Sequence, residues 1–155
     1  MTATVKHSNP NALKQVYERL GSASKREVAV GFPAGMANAY PDGTPVAQVA
    51  AWNVYGTENI PSRDFMGLAR ADIIRDQHTV VNKIKARRKP LSEEGVDMML
   101  ATLGHLAQKD IQKAIVDLDS PPNKPSTIKA KGSSNPLIDT GHMLQSVTFI
   151  VRDTE

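Results

Sequence analysis

The chain has 155 residues, no cysteine and a formal net charge of +3; that length suits one domain able to bury roughly 70% of its unfolded surface. Absence of cysteine excludes disulfides, thiolate metal centres and a cysteine nucleophile, and makes a reducing, cytoplasmic origin the default expectation. Apolar residues make up 40% and charged residues 23%, the balance of a globular protein, no run is long and apolar enough to span a bilayer, and the first ten residues lack the apolar stretch of a signal peptide.

In chain order, Asn9-Pro10 opens a helix that carries Leu13, Val16, Tyr17 and Leu20 on one face and closes at Gly21. Residues 25–32, KREVAVGF, alternate Val28, Val30 and Phe32 against Glu27, Ala29 and Gly31, which predicts a half-buried strand. Residues 33–43 hold two prolines, two glycines and an Asp-Gly pair, and read as an extended loop or arm. Thr44 then suits an N-cap and Pro45 the first helical position, where a missing N–H costs nothing. Val46, Val49, Ala50, Asn53 and Val54 share one face of the resulting helix, and Gly56 supplies its stop. Trp52, the chain's one tryptophan, and Tyr55 fall off that face. A small domain that leaves its tryptophan out of the core offers it to a partner.

Thr57 to Pro61 forms a turn, and Ser62 is placed to cap a helix from Arg63 to about Arg87. Its apolar side carries Phe65, Leu68, Ala69, Ile73, Val80 and Ile84, interrupted by Asp72 and Asp76. Pro90 ends it. Ser92 caps the strongest helix of the chain, residues 93–118, with Glu93 and Glu94 in the first turn where the helix dipole favours them. An apolar stripe of Val96, Met99, Leu100, Leu103, Leu106, Ala107, Ile111, Ala114, Ile115 and Leu118 runs its whole length, and a helix that long has surface to spare for a subunit contact. Residues 120–136, SPPNKPSTIKAKGSSNP, read as a second extended loop, either a tether or an arm that orders against a neighbouring subunit. Asp139 or Thr140 caps a short helical turn through Leu144, and residues 146–152 alternate as a second strand, paired with the first. The fold class is therefore α+β: a small sheet from strands near 26–32 and 146–152 on three to four helices, in one domain spanning 1–155.

The common catalytic arrangements are missing from the sequence. His7, His78, His105 and His142 show no metal-ligand spacing. The Gly31-to-Gly35 turn lacks the Gly-Lys-Ser/Thr ending of a phosphate loop, and no G-x-S-x-G elbow is present. Asp72 and Asp76 are too few ligands for a cation and, with Arg70, Arg75 and Lys83 nearby, read as a solvated helix face. No enzyme and no cofactor are expected. One charged feature remains: Lys83, Lys85, Arg87, Arg88 and Lys89 pack into seven residues, KIKARRK. It reads either as a solvated helix end favoured by the dipole or as a patch that contacts phosphates or an acidic subunit.

Two runs carry a resemblance. Residues 46–57, VAQVAAWNVYGT, followed by Ile60-Pro61-Ser62-Arg63 and Phe65, resemble the family of tailed-bacteriophage tail-completion proteins, which join head to tail at the neck. Pro121-Pro122, Ser126-Thr127-Ile128, Pro136-Leu137-Ile138-Asp139-Thr140-Gly141, Leu144 and Ser146 resemble the C-terminal signature of the same family. The resemblance implies a non-catalytic α+β virion protein that joins the tail tube to the connector of the head. It implies a homo-oligomeric ring, commonly hexameric, assembled in the cytoplasm of the bacterial host. Connector, tail-tube or terminator proteins are then the partners, with DNA passing nearby without specific binding and no membrane involved. Gly56, Ile60, Pro61, Phe65, Pro136, Asp139, Thr140, Gly141 and Leu144 would be the structural signature. Trp52, Tyr55, Thr57, Arg63, Lys124, Lys129 and Lys131 would be the subunit-contact candidates. Two positions depart from the pattern: Val54 stands where an acidic residue is frequent, and Asp64, where a proline is frequent, is expected to pair with Arg63. The alternative function is a nucleic-acid-binding module acting through residues 83–89, with salt-dependent affinity.

Overall fold

The computed structural model describes residues 25–33, 39–85 and 92–154. The expected helix at 10–20, the middle of the 33–43 loop and Arg87 to Lys89 lie outside the described residues. Within them the fold is α+β, as expected: β1 (Arg26–Gly31), α1 (Val46–Tyr55), α2 (Phe65–Lys85), α3 (Glu93–Asp117), α4 (Pro125–Lys131), α5 (His142–Gln145) and β2 (Thr148–Asp153). The two strands pair antiparallel over their full length, from Arg26 opposite Asp153 to Gly31 opposite Thr148.

One face of this ribbon lies on α3, because a lone two-stranded sheet cannot hold itself in water and needs an apolar partner. The close approach depends on Gly104, where a Cβ would overlap the Phe149 ring of β2. His105 then meets the same ring edge-on at 4.6 Å. The predicted stripe of α3 is correct: Val96, Leu100, Ala107, Ile111, Ile115 and Leu118 are buried. Ser92 caps the helix as expected, its hydroxyl accepting from the Gly95 N–H at 3.1 Å.

Helix α2 packs along α3. It starts two residues later than predicted and with a different cap. Asp64 accepts from the Gly67 N–H at 2.8 Å, whereas Ser62 turns back and donates to the Val54 carbonyl at 2.6 Å. Phe65 and Ala69 are buried, but Leu68, assigned to the apolar side, is 60% exposed. The stripe that meets α3 is the narrower one through Phe65, Ala69 and Ile73.

The core joins α1 (Val46, Ala50), the start of α2 (Phe65, Ala69), the C-terminal half of α3 (Ile111, Ile115, Leu118), Leu137, Met143 of α5 and Val147. Phe65, Ile111 and Ile115 have essentially no exposed surface. Each contributes about 1.5–3 kcal/mol by leaving water.

The 120–136 segment is not the structureless loop expected. Pro125 begins α4 and Gly132 ends it in the left-handed conformation, its N–H on the Ile128 carbonyl at 2.9 Å. The signals were present: proline at the first helical position, lysines in the last turn, glycine just beyond.

Candidate functional site

The two segments that carry the sequence resemblance meet at the bend between α1 and α2. Thr44 does not cap α1, because its carbonyl accepts from the Tyr40 N–H at 2.9 Å in a tight turn. The Pro45 carbonyl opens the helix instead, accepting from Gln48 and Val49. At the other end the chain folds back on the last turn of α1. Arg63 N–H donates to the Asn53 carbonyl at 2.6 Å, so carbonyls that a helix end leaves unpaired are satisfied by the turn. Thr57 locks the bend: its N–H reaches the Ile60 carbonyl at 2.7 Å and its hydroxyl accepts from Asn59 and Ile60. Gly56 has φ of 78°, and a Cβ there would sit 3.0 Å from the Ser62 nitrogen. Only glycine fits both demands.

Arg63 is the centre of the bend and is 5% exposed. Its Nε donates to the Pro121 carbonyl at 2.8 Å. A terminal nitrogen donates to Asn123 Oδ1 at 3.1 Å and the Pro122 carbonyl at 3.4 Å. Burial pulls its pKa below the ordinary guanidinium value, yet arginine keeps its charge in proteins. The expected Arg63–Asp64 pair does not form: Asp64 is occupied as the cap of α2. Arg63 is thus a clasp inside the chain, not a surface contact, which corrects its place among the subunit-contact candidates.

Asn135 holds the other end of the same segment. Its Oδ1 accepts from the N–H groups of Leu137 and Ile138 at 2.9 Å, and its Nδ2 donates to the Val116 carbonyl at 2.8 Å. Lys131 turns inward, its ammonium donating to the carbonyls of Asn135 at 3.1 Å and Pro136 at 3.4 Å. Burial lowers its pKa. This too departs from the expectation of a free contact residue. Lys124 and Lys129 are exposed, as that role requires.

On the outer side of the bend lies an open groove of about 510 Å³. Tyr40, Val49, Trp52, Leu137 and Met143 give it an apolar lining, and Asp42, Asp139 and Lys131, which faces Asp139, bring charges of both signs to it. Trp52 keeps 37% of its surface in water and Tyr55, one residue before the bend, 83%. Both aromatics are off the core, as read from the sequence. Asp42 is held below the usual carboxylate range by the Thr44 N–H at 2.9 Å. Burial, with Asp139 nearby, pushes the Tyr40 phenol up. Tyr40 also stacks edge-on against His142 at 4.9 Å.

No family model, curated protein or solved structure matches the chain.

The remaining signature positions divide by burial. Phe65 and Pro136 are buried, Ile60, Gly141 and Leu144 half-buried, and Pro61, Asp139 and Thr140 exposed. Of the basic run, Lys83 is exposed on the last turns of α2, and Lys85 is its final residue. Among the described residues no group of three histidines, aspartates or glutamates is arranged to hold a metal ion, and no helix is long and apolar enough to cross a membrane.

Asp72 and Asp76 are not a fully solvated face. Both are half-buried and bracket Arg75, whose guanidinium pairs with Asp72 at 2.6 Å and Asp76 at 3.3 Å. Asp110 of α3 is 7% exposed, and its Oδ2 has no hydrogen-bond partner among the described residues. Burial first, then the charges of Asp76 and Asp72, raise its pKa.

Sequence reasoning missed Asn123 and Asn135. A signal existed for Asn135, because Asn-Pro favours a turn built on the asparagine side chain. None existed for the partners of Arg63.

Proposed function

We propose that this chain is a non-catalytic structural subunit of a phage neck, joining the tail tube to the head connector as part of a ring. The observation that carries this reading is the Arg63 clasp. The two runs that resemble the tail-completion family are far apart in sequence, yet Arg63 of the first is bonded to Pro121, Pro122 and Asn123 at the start of the second. A shared signature whose halves build one rigid bend is what a family defined by assembly would keep. The exposed aromatics Trp52 and Tyr55 on that bend support it, since tryptophan and tyrosine dominate the energetics of protein contacts.

The test is complementation of a phage lacking this gene. Trp52→Ala with Tyr55→Ala should give folded protein but unjoined heads and tails in electron micrographs. Particles joined in normal yield by the double variant, or wild-type particles with no copy of the chain at the head–tail junction, would sink the reading.

A further inference from the structure

The ribbon of β1 and β2 leaves a free edge on each strand. Thr154 N–H donates to the Lys25 carbonyl at 2.6 Å, which makes Lys25 and Thr154 a hydrogen-bonded pair of the ladder. Such pairs alternate in an antiparallel register, so Glu27–Arg152, Ala29–Ile150 and Gly31–Thr148 follow. The backbone N–H and C=O groups of Arg26, Val28 and Val30 therefore point away from β2, and they make no hydrogen bond among the described residues. Strand β1 also lacks the proline or lysine that commonly blunts an exposed edge.

Beside that edge lies a crevice of about 290 Å³, distinct from the groove at Trp52. Val28 and Val30 of β1 and Ile73 and Gln77 of α2 are its walls, and Leu100 and Leu103 of α3 form its floor. Glu27, on the other face of β1, also borders it and no residue of β2 does, which places the crevice at the edge of the ribbon. The charged groups around it, Arg26, Glu27 and Asp76, are engaged with Asp97, Arg152 and Arg75. Widths explain why it is open. Packed helices stand about 8–10 Å apart and paired strands about 4.8 Å, so two strands cover α3 and leave the near side of α2 uncovered.

We propose that this edge is a β-augmentation site, where an extended peptide segment of a partner protein adds to β1 as a third strand. Only another extended backbone matches a line of alternating N–H and C=O groups, and the apolar floor beside them selects its side chains. A residue paired with Val28 or Val30 shares their face of the sheet. Alternate residues of the segment are therefore apolar and enter the crevice, while those between face water. A folded second copy does not fit, because the helices under its own ribbon would need the place that α2 holds. The site is independent of the neck reading, which concerns Trp52 and Tyr55.

The probe is the capped peptide Val147–Thr154, VTFIVRDT, whose alternation already matches β1 at its other edge. Added to the isotope-labelled full chain, it should give saturable resonance shifts along residues 26–30. At nine-tenths saturation, amide exchange should slow about tenfold at Arg26, Val28 and Val30, because only the free form exchanges. Exchange at Glu27 and Ala29, already bonded to β2, should not change. Gln77→Trp, at an exposed position, fills the crevice and should weaken binding about tenfold. Exchanging the phenylalanine and arginine of the peptide sets a charge over the apolar floor and should cost at least as much. Circular dichroism establishes that the variant is folded. The proposal is overturned by a titration without saturation, by shifts without the alternating protection, or by equal binding of the exchanged peptide. Protection of the three amides in the free chain would show the edge covered from within. Protection that grows with protein concentration alone would make a second copy the occupant; either result overturns the proposal. Failure of the titration leaves the neck reading standing, and absence of the chain from the head–tail junction leaves the titration unaffected.

Discussion

Arg63 Nε donates to the carbonyl oxygen of Pro121 at 2.8 Å, across 58 residues of sequence. That bond, with two more from the same guanidinium, fixes the start of the 121–136 segment to the bend between the first two long helices of the core. A buried cation with no carboxylate partner is tolerated here because backbone and amide oxygens supply the acceptors its planar fork needs.

Arg63→Ala removes all three bonds to part-buried oxygens of Pro121, Pro122 and Asn123, so it should lower stability by about 1–3 kcal/mol. Arg63→Lys, with one compact charge in place of the fork, should recover less than half of that. Urea unfolding of both variants measures the difference, and a loss under about 0.5 kcal/mol for Arg63→Ala contradicts the clasp.

Asn135→Asp keeps the oxygen that accepts from Leu137 and Ile138 but loses the donor to Val116; Asn135→Ala loses both. The expected order of stability is wild type, Asp, Ala, with about 1 kcal/mol per step. Amide exchange at Leu137 and Ile138 should quicken far more in the alanine variant than in the aspartate variant.

Gly56→Ala puts a side chain at φ of 78° and against the Ser62 nitrogen. A cost of about 1–3 kcal/mol follows, read as a lower melting temperature. Gly43 also has positive φ, at 84°, but has no heavy atom within 4 Å of the added carbon. Gly43→Ala should therefore cost less, about 1 kcal/mol.

Asp110 sets a pH dependence of known sign. Its folded-state pKa is raised, chiefly by burial, then by Asp76 and Asp72. Stability from this group is therefore fully present below the ordinary aspartate value of about 3.9 and is lost as pH rises through the folded value. Asp110→Asn removes the charge and keeps the shape, so the variant should gain on the wild type as pH rises across that window and hold the gain at neutrality. Melting curves from pH 3 to 8 test it; parallel profiles for the two proteins contradict the assignment.

What the residues alone determined was whatever depends on period and caps. The alternation of residues 25–32 and 146–152 yielded both strands and their pairing. The stripe from Val96 to Leu118, with Ser92 before it, yielded α3 nearly to the residue. Gly56 marked the stop of α1, and Trp52 and Tyr55 were legible as off-core, because a helix of known phase states which side chains miss its apolar face. The tertiary structure decided everything that depends on a competing partner. Thr44 lost its cap role because Tyr40 claimed its carbonyl, and Ser62 lost its own to Asp64. Asp72 and Asp76, alike solvated in a linear reading, lie half-buried and bracket Arg75 at the packed α2 helix. The groove was invisible for the same reason: Tyr40, Trp52 and Leu137 share no periodicity and become neighbours only when Arg63 and Asn135 draw the 121–136 segment onto the bend. Local patterns are written in the spacing of residues, whereas a clasp or a groove exists only once distant backbone oxygens and apolar faces have found each other.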